Sequence, residues 1–344
     1  MTYADAIRQA LEDAMAADPS VVILGQAVDD PKPTYGTTAG LTEKFGQGRA
    51  FNTPLSEEGM TGVAVGMALA GLRPVLTHIR MDFLVLGMNQ LVNVASKVRW
   101  MYGGRLTCPL VIRGIIGKSW GQGPQHSQGL YPLFCHIPGL RVATPWQPDC
   151  AYVALRQALR LDEPTIFVEH RLLHRLEGPM ELASLAKDAD DLKVMSHSVA
   201  WPDAQVTLMG ISWMAEECLR AAHLLAEAGI YAEVVSPVWL SPLEDGAIRD
   251  SVRRTGRLVA VDCAWVMGGI GSEIVARFSE EGILPAGQMR RLGFAPTACP
   301  TSPALEASYY PTPRTIAKAA MALLGEPKWE PGKVAPEIAF KGPF

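Results

Sequence analysis

The strongest constraint on how this chain folds is a rhythm rather than a motif. Five short runs, VVILG (21–25), RPVLTHI (73–79), PLVIRG (109–114), LRVATP (140–145) and PTIFVE (164–169), are rich in aliphatic and β-branched residues and bounded by turn formers. Runs of this kind read as buried strands. Helical periods lie between them. Leu84, Met88, Leu91, Ala95, Val98 and Tyr102 fall on one stripe at spacings of three and four. Strands alternating with helices predict an α/β architecture, a mainly parallel sheet covered on both faces.

The rhythm breaks once and resumes. Residues 181–204 are polar and weakly patterned, and read as a linker with one edge strand. VTLMGI (206–211), AEVVSP (232–237) and RLVAVD (257–262) then alternate with helices. The chain therefore divides into a first domain over 1–180, a linker over 181–204, a second three-layer α/β/α domain over 205–325 and a tail over 326–344. The tail is rich in Pro and Gly and reads as a segment that packs on its neighbours or stays loose. At 344 residues the chain has ample length for two cores.

Composition excludes some partners. A formal net charge of −4 gives no electrostatic reason to expect nucleic acid or an anionic membrane. The longest apolar segments are broken by glycines, so a membrane span is not expected. The N-terminal stretch MTYADAIRQALEDAMAADPS reads as an amphipathic helix and lacks the basic start and apolar centre of a signal peptide. Six scattered cysteines with no C-x-x-C pair indicate neither zinc nor a disulfide framework. The cytoplasm is the default compartment.

Four stretches could carry chemistry. TPLSEEGMTGVAVGMALAGLRP (53–74) sets Glu57 and Glu58 before a segment that has no charge until Arg73. Helix starts favour acids, but one acid suffices. A helix apolar on every face is expected to be buried, so one carboxylate is expected to be carried inward with it. MGGIGSE (267–273) follows a strand and opens a helix. Its glycines suit either an anion at the helix N-terminus or tight helix–sheet packing, and packing is the plainer reading. His170 and His174 in EHRLLH lie four apart, but they follow a strand and lack the H-E-x-x-H order, so no metal site is assigned. GIIGKSWGQGPQHSQGL (114–130) is a glycine-rich loop at the carboxyl end of a strand, where α/β sheets bind ligands, and it presents His126. That His either moves protons or satisfies the loop's own backbone. Spacing alone does not decide.

Taken in order, FNTPLSEEGMTGVAVGMALAGLRPV, DFLVLGMNQLVNVASKVRWMYGG, PLVIRG, GPQHSQ, HIPGLRVATPWQP and EPTIFVEH resemble the beta subunit of the thiamine-diphosphate-dependent 2-oxo acid dehydrogenases, the pyruvate, branched-chain and acetoin type. GGIGSEI and PTSPALE resemble the transketolase C-terminal domain that follows in that family. The resemblance implies a pyrimidine-binding fold followed by that second domain, and thiamine diphosphate as cofactor. It implies that Glu57 meets a ring nitrogen of the aminopyrimidine, with Glu58 as the rival assignment. It also implies that Phe83 stacks on the pyrimidine, that Leu55 lines its pocket, and that His126 exchanges protons with the substrate-derived group and in acyl transfer.

No G-D-G motif with its following Asn is present, so the resemblance places the diphosphate and Mg2+ on a separate alpha subunit in an α2β2 assembly, and no metal on this chain. The activity implied is decarboxylation of a small 2-oxo acid with transfer of the acyl group to lipoamide on a lipoyl acyltransferase. The alternatives are a two-subunit carboligase or transketolase-like enzyme, and a non-catalytic assembly subunit. Four positions depart from the family pattern. Gln26 stands where Glu is frequent, Leu161 stands where potassium-binding members have Asp, and Arg80 with Met81 replace smaller or neutral residues. No structural potassium is therefore expected.

Overall fold

A computed structural model describes residues 1–30, 34–118, 121–190, 196–201 and 203–332. The strands run in chain order β1 (Val21–Gly25), β2 (Ala50–Asn52), β3 (Arg73–His78), β4 (Val111–Ile116), β5 (Arg141–Ala143), β6 (Thr165–His170), β7 (Ser196–Val199), β8 (Val206–Gly210), β9 (Ala232–Pro237), β10 (Trp239–Ser241), β11 (Leu258–Trp265) and β12 (Met289–Phe294). Among the described residues they form two sheets, ordered β10-β5-β6-β4-β3-β1-β2 and β12-β11-β8-β9-β7. Every pairing is parallel except β10 on β5 and β7 on β9. The two-domain, mainly parallel α/β organisation is the one the sequence rhythm predicts. Strands β1, β4 and β6 are buried along their whole length, as their unbroken apolar runs require.

The helix Tyr3–Ala17 shows how sequence selects an element. Thr2 caps it by accepting from the Asp5 N–H, and Tyr3, Ala6, Ile7, Ala10, Leu11, Ala14 and Met15 form its buried stripe. The stripe packs on the helix Pro148–Arg160.

Several details differ from the sequence reading. Strands β2, β10 and β12 carry no long apolar run and were not expected. Residues 239–241 lie in the span assigned to the second domain but extend the first sheet as β10. That antiparallel strand covers the otherwise open edge of β5, and Thr144 N donates to the Val238 carbonyl at 2.8 Å. In the span read as a linker, Leu182–Asp190 is helical and β7 edges the second sheet. In the tail, Trp329 packs against the core and Lys318 meets Glu330 at 2.7 Å, while 333–344 lie outside the described residues. Of the stripe from Leu84, Leu84, Leu91, Ala95 and Val98 are buried, Met88 is half-buried and Tyr102 is exposed. The segment is not one regular helix. It widens at Gln90–Ala95, where Ser96 N reaches the Leu91 carbonyl five residues back at 3.0 Å.

The largest correction concerns the helix Glu57–Leu69. The even spread of apolar residues predicts burial on every face. Only Thr61, Ala64, Val65 and Ala68 are buried, while Val63 is 50% and Leu69 is 39% exposed. Leu55, Leu86, Trp100 and Met101 are exposed as well. Apolar surface left open on a helix in this way suits an interaction with another molecule.

The domains meet along a close seam. The Tyr131 hydroxyl donates to Asp262 Oδ1 and accepts from Cys263 N at 3.1 Å. At Gly129 a side chain is sterically forbidden, because an added Cβ would lie 1.9 Å from the Cys263 carbonyl oxygen.

Candidate active site

The candidate residues gather at the carboxyl edge of the first sheet, where parallel α/β sheets open to ligands. Gln26 follows β1, Glu57 opens the helix after β2, Phe83 lies on the short helix Met81–Leu84 after β3, and His126 is on the loop after β4.

Glu57 is half-buried, and Glu58 is exposed. The Gln26 side-chain amide donates to Glu57 Oε1 at 3.0 Å. Its own Oε1 accepts from Ile79 N at 3.4 Å, and its backbone N–H donates to the Thr77 carbonyl at 3.1 Å. The carboxylate is thereby fixed to the ends of β1 and β3. Among the described residues, nothing donates to the second Glu57 oxygen. Glu58 instead accepts from Gln90 Nε2 at 3.3 Å, away from the strand ends. The Glu that the family often has at position 26 could make this contact only by sharing a proton. The Gln found here supplies the donor at any pH.

Behind Glu57 lies His78, 2% exposed, with Nε2 3.5 Å from Thr61 Oγ1. Burial pulls its pKa down to about 4, against an opposing pull from Glu57. At neutral pH it is an uncharged imidazole behind the carboxylate.

Phe83 and His126 come together, with ring centroids 5.3 Å apart in an edge-on arrangement. The His126 loop is tied at two points. Gln128 donates to Asp82 Oδ1 from its backbone at 3.2 Å and its side chain at 2.9 Å. Arg171 donates to the His126 carbonyl at 2.9 Å and to the Gln122 side-chain oxygen. Burial raises the Asp82 pKa, partly offset by the bonds from Gln128. Leu55 is 80% exposed.

Neither His170 nor His174 is arranged for a metal. His170 stacks on Trp213 with centroids 5.8 Å apart and accepts from Leu172 N at 3.2 Å. His174 bonds Glu169 at 2.9 Å inside a buried cluster in which Arg113 grips the same carboxylate at 2.6 and 2.9 Å and Thr37 at 2.7 Å. Burial alone would raise Glu169, but Arg113 and His174 outweigh it and hold the carboxyl at about 2. Among the described residues no group of three or more His, Cys, Asp or Glu is placed to hold a metal ion. The helix start at MGGIGSE is filled from within, since Gly271 N donates to Asp262 Oδ2 at 3.1 Å.

Sequence reasoning missed Gln26, Asp82, Gln128 and Arg171 as structural partners of the site. Of these, only Gln26 had drawn notice, as a departure from the family pattern. The others are single polar residues beside strand ends or in a loop, with no periodicity to mark them.

Comparison with known proteins gives the family. Residues 1–177 match the model of the transketolase pyrimidine-binding domain, and 198–316 match that of the transketolase C-terminal domain. The beta subunit of acetoin:2,6-dichlorophenolindophenol oxidoreductase from Cupriavidus necator is 37% identical over 336 residues, covering 92% of this chain and 95% of that one. The mitochondrial pyruvate dehydrogenase E1 component subunit beta-2 of Oryza sativa subsp. japonica is 35% identical over 281 residues, covering 82% and 74%. A solved structure titled as a split-gene transketolase, an inactive beta4 tetramer, shares the fold with a TM-score of 0.74 at 21% identity over 95% of this chain and 99% of that one. With both domain models in order along the chain and relatives of this closeness over most of its length, the chain belongs to the beta subunits of the thiamine-diphosphate-dependent 2-oxo acid dehydrogenases.

Proposed function

We propose that this chain supplies the pyrimidine half of a split thiamine-diphosphate site, with Glu57, Phe83, Leu55 and His126 as its working residues. The observation that carries the reading is Glu57 itself. One of its oxygens is locked by Gln26, and the other has no donor among the described residues. A carboxylate so placed suits a protonated ring nitrogen. When bound, thiamine diphosphate supplies a thiazolium carbon nucleophile and an electron sink for decarboxylation. Glu57 holds a proton at the aminopyrimidine ring, favouring the basic imino tautomer, and does so best where water is excluded. Phe83 offers an aromatic face for the ring, and Leu55 closes the entrance. His126 delivers and removes protons at the substrate side of the pocket.

The other half of the site is assigned to an alpha subunit that holds the diphosphate and Mg2+. The exposed apolar face around Val63, Leu69 and Trp100 is where such a partner buries the Glu57 helix, giving α2β2. The relatives named for pyruvate and for acetoin point to a small 2-oxo acid or its ketol as substrate. A lipoyl acyltransferase is the acyl acceptor proposed. All six cysteines are free, as in a reducing compartment, and the cytoplasm is the location proposed. Among the described residues no helix is long and apolar enough to cross a membrane.

The test is calorimetry and turnover on the chain with and without its alpha partner. The single chain is expected to bind thiamine diphosphate and Mg2+ weakly, and the complex tightly. The complex is expected to turn over a 2-oxo acid with a lipoyl domain as acceptor. Tight stoichiometric binding by the single chain rejects the split site.

A further inference from the structure

The loop that presents His126 is rich in glycine. Gly117, Gly121 and Gly123 precede the His, and the last two sit at φ of +70°. Ordering such a segment costs backbone entropy. Its glycines pack against Thr301 and Cys263 of the second domain, and one buried side chain of the first domain ties it from within.

Arg171 is the first residue beyond β6. Its N–H donates to the Ile116 carbonyl at the end of β4 at 3.1 Å, so it is rooted beside the start of the loop. Its side chain is 0% exposed, with Nη1 donating to Gln122 Oε1 and Nη2 donating to the His126 carbonyl at 2.9 Å. The two acceptors are four residues apart on the loop, and the flat guanidinium fork engages both at once. Burial, with Arg80 nearby, lowers its pKa to about 10, which leaves it charged at neutral pH and makes both bonds charge-assisted. Beyond His126 the Gln128–Asp82 contacts form the second tie, so His126 and Ser127 are strung between two anchors.

We propose that Arg171 is a positioning residue for His126, fixing the loop backbone so that the imidazole stands edge-on to Phe83 in the reaction pocket. The proposal rests on His126 acting as the proton carrier. Arg171 is wholly buried and bonds to the loop. Its effect passes through the carbonyl of the His itself.

The experiment uses the complex with its alpha partner and the 2-oxo acid that turns over fastest in a panel. Arg171→Met is expected to lower kcat by about 10- to 100-fold through misplacement of the imidazole. KM and thiazolium proton exchange should stay near wild-type, because Glu57 and its side of the pocket are untouched, while the melting temperature falls modestly with the loss of two buried bonds. Arg171→Lys should recover part of the loss, since an ammonium can reach one of the two acceptors. On a His126→Ala background, Arg171→Met should cost nothing further.

Unchanged kcat in Arg171→Met overturns the proposal. So does a fall in proton exchange in step with kcat, which marks a merely structural arginine. If Arg171→Met fails to assemble, Gln122→Ala decides. It removes one acceptor from a partly exposed position and should lower kcat several-fold, and wild-type kcat there rejects the link. Normal turnover in His126→Ala removes the reading of His126 and this proposal with it. A loss in His126→Ala with none in Arg171→Met removes Arg171 alone.

Discussion

Two helices of this chain begin with glycines and an acid close by, and they end up in opposite circumstances. At Ile270–Glu280 the carboxylate of Asp262 closes the start from within, bonded to Gly271 N and to the Tyr131 hydroxyl across the domain seam. At Glu57–Leu69 the carboxylate is half-buried and half-engaged, and the helix face behind it is open. From the sequence the glycines of the first read as tight helix–sheet packing, with an outside anion as the lesser alternative, and the second read as a helix buried in its own domain. The difference lies in where each feature finds its partner. A glycine-rich helix start next to a strand of the same chain can be completed internally. An apolar helix with no covering element must be completed by another molecule.

Substitution at the open start should give the largest effect. Glu57→Gln is expected to lower turnover of the complex by on the order of 100- to 1,000-fold, roughly 3–4 kcal/mol, with melting temperature unchanged. Thiazolium proton exchange should be lost with it. Normal exchange in Glu57→Gln together with loss in Glu58→Gln reverses the assignment of the two acids.

Acid should affect the two starts with opposite sign. His78 behind Glu57 stays neutral in the fold down to about pH 4, while the unfolded chain takes up that proton near 6.5. Its contribution is therefore intact above 6.5 and fades as pH falls toward 4, by about 3 kcal/mol. Asp262 is raised by burial, against bonds from Tyr131 and nearby backbone N–H groups, so the fold holds its proton more tightly than the unfolded chain, and falling pH relieves it. Urea melts from pH 7 to 4 should show a shallower acid loss in His78→Leu and a steeper one in Asp262→Asn. Equal slopes in all three proteins break the comparison.

At the closed start the expected effect is on stability. Asp262→Ala leaves the Tyr131 hydroxyl and Gly271 N–H buried without acceptors, at a cost of roughly 1–3 kcal/mol. Urea titration measures it. A loss below about 0.5 kcal/mol shows that Asp262 does not close the site as argued.

The smallest effect on the chain alone belongs to the open face. Val63→Asp, at a half-exposed position, should change its stability by no more than about 0.5 kcal/mol. Association with the alpha partner should weaken at least about tenfold. Unimpaired association, read by sedimentation or titration, removes this face from the interface.

What was legible in the sequence follows from the same division. Long apolar runs such as VVILG, PLVIRG and PTIFVE placed β1, β4 and β6, because full burial on both faces leaves a plain pattern. Strand β10 is three residues long and owes its place to the open edge of β5 in another domain, which no local pattern encodes. The charged pair before an apolar helix drew attention to Glu57, and the loop after a strand drew it to His126. Gln26, Asp82, Gln128 and Arg171 work through single long-range contacts, and the loop ties join residues about 45 positions apart. The burial of the helix 57–69 was misread because a sequence records how apolar a surface is, not which molecule covers it.

Gly129 has a consequence for how such proteins can be recombined. The first domain contributes the cofactor residues and the second contributes none of those assigned here. Yet the backbone of the His126 loop runs against the Cys263 carbonyl with no room for a single methyl group. The halves are therefore not free to be exchanged among relatives as separate modules. A hybrid joining this first half to a foreign second half inherits a working loop only if the incoming strand keeps its backbone at the same depth. In this fold the unit of inheritance is the seam as much as either domain.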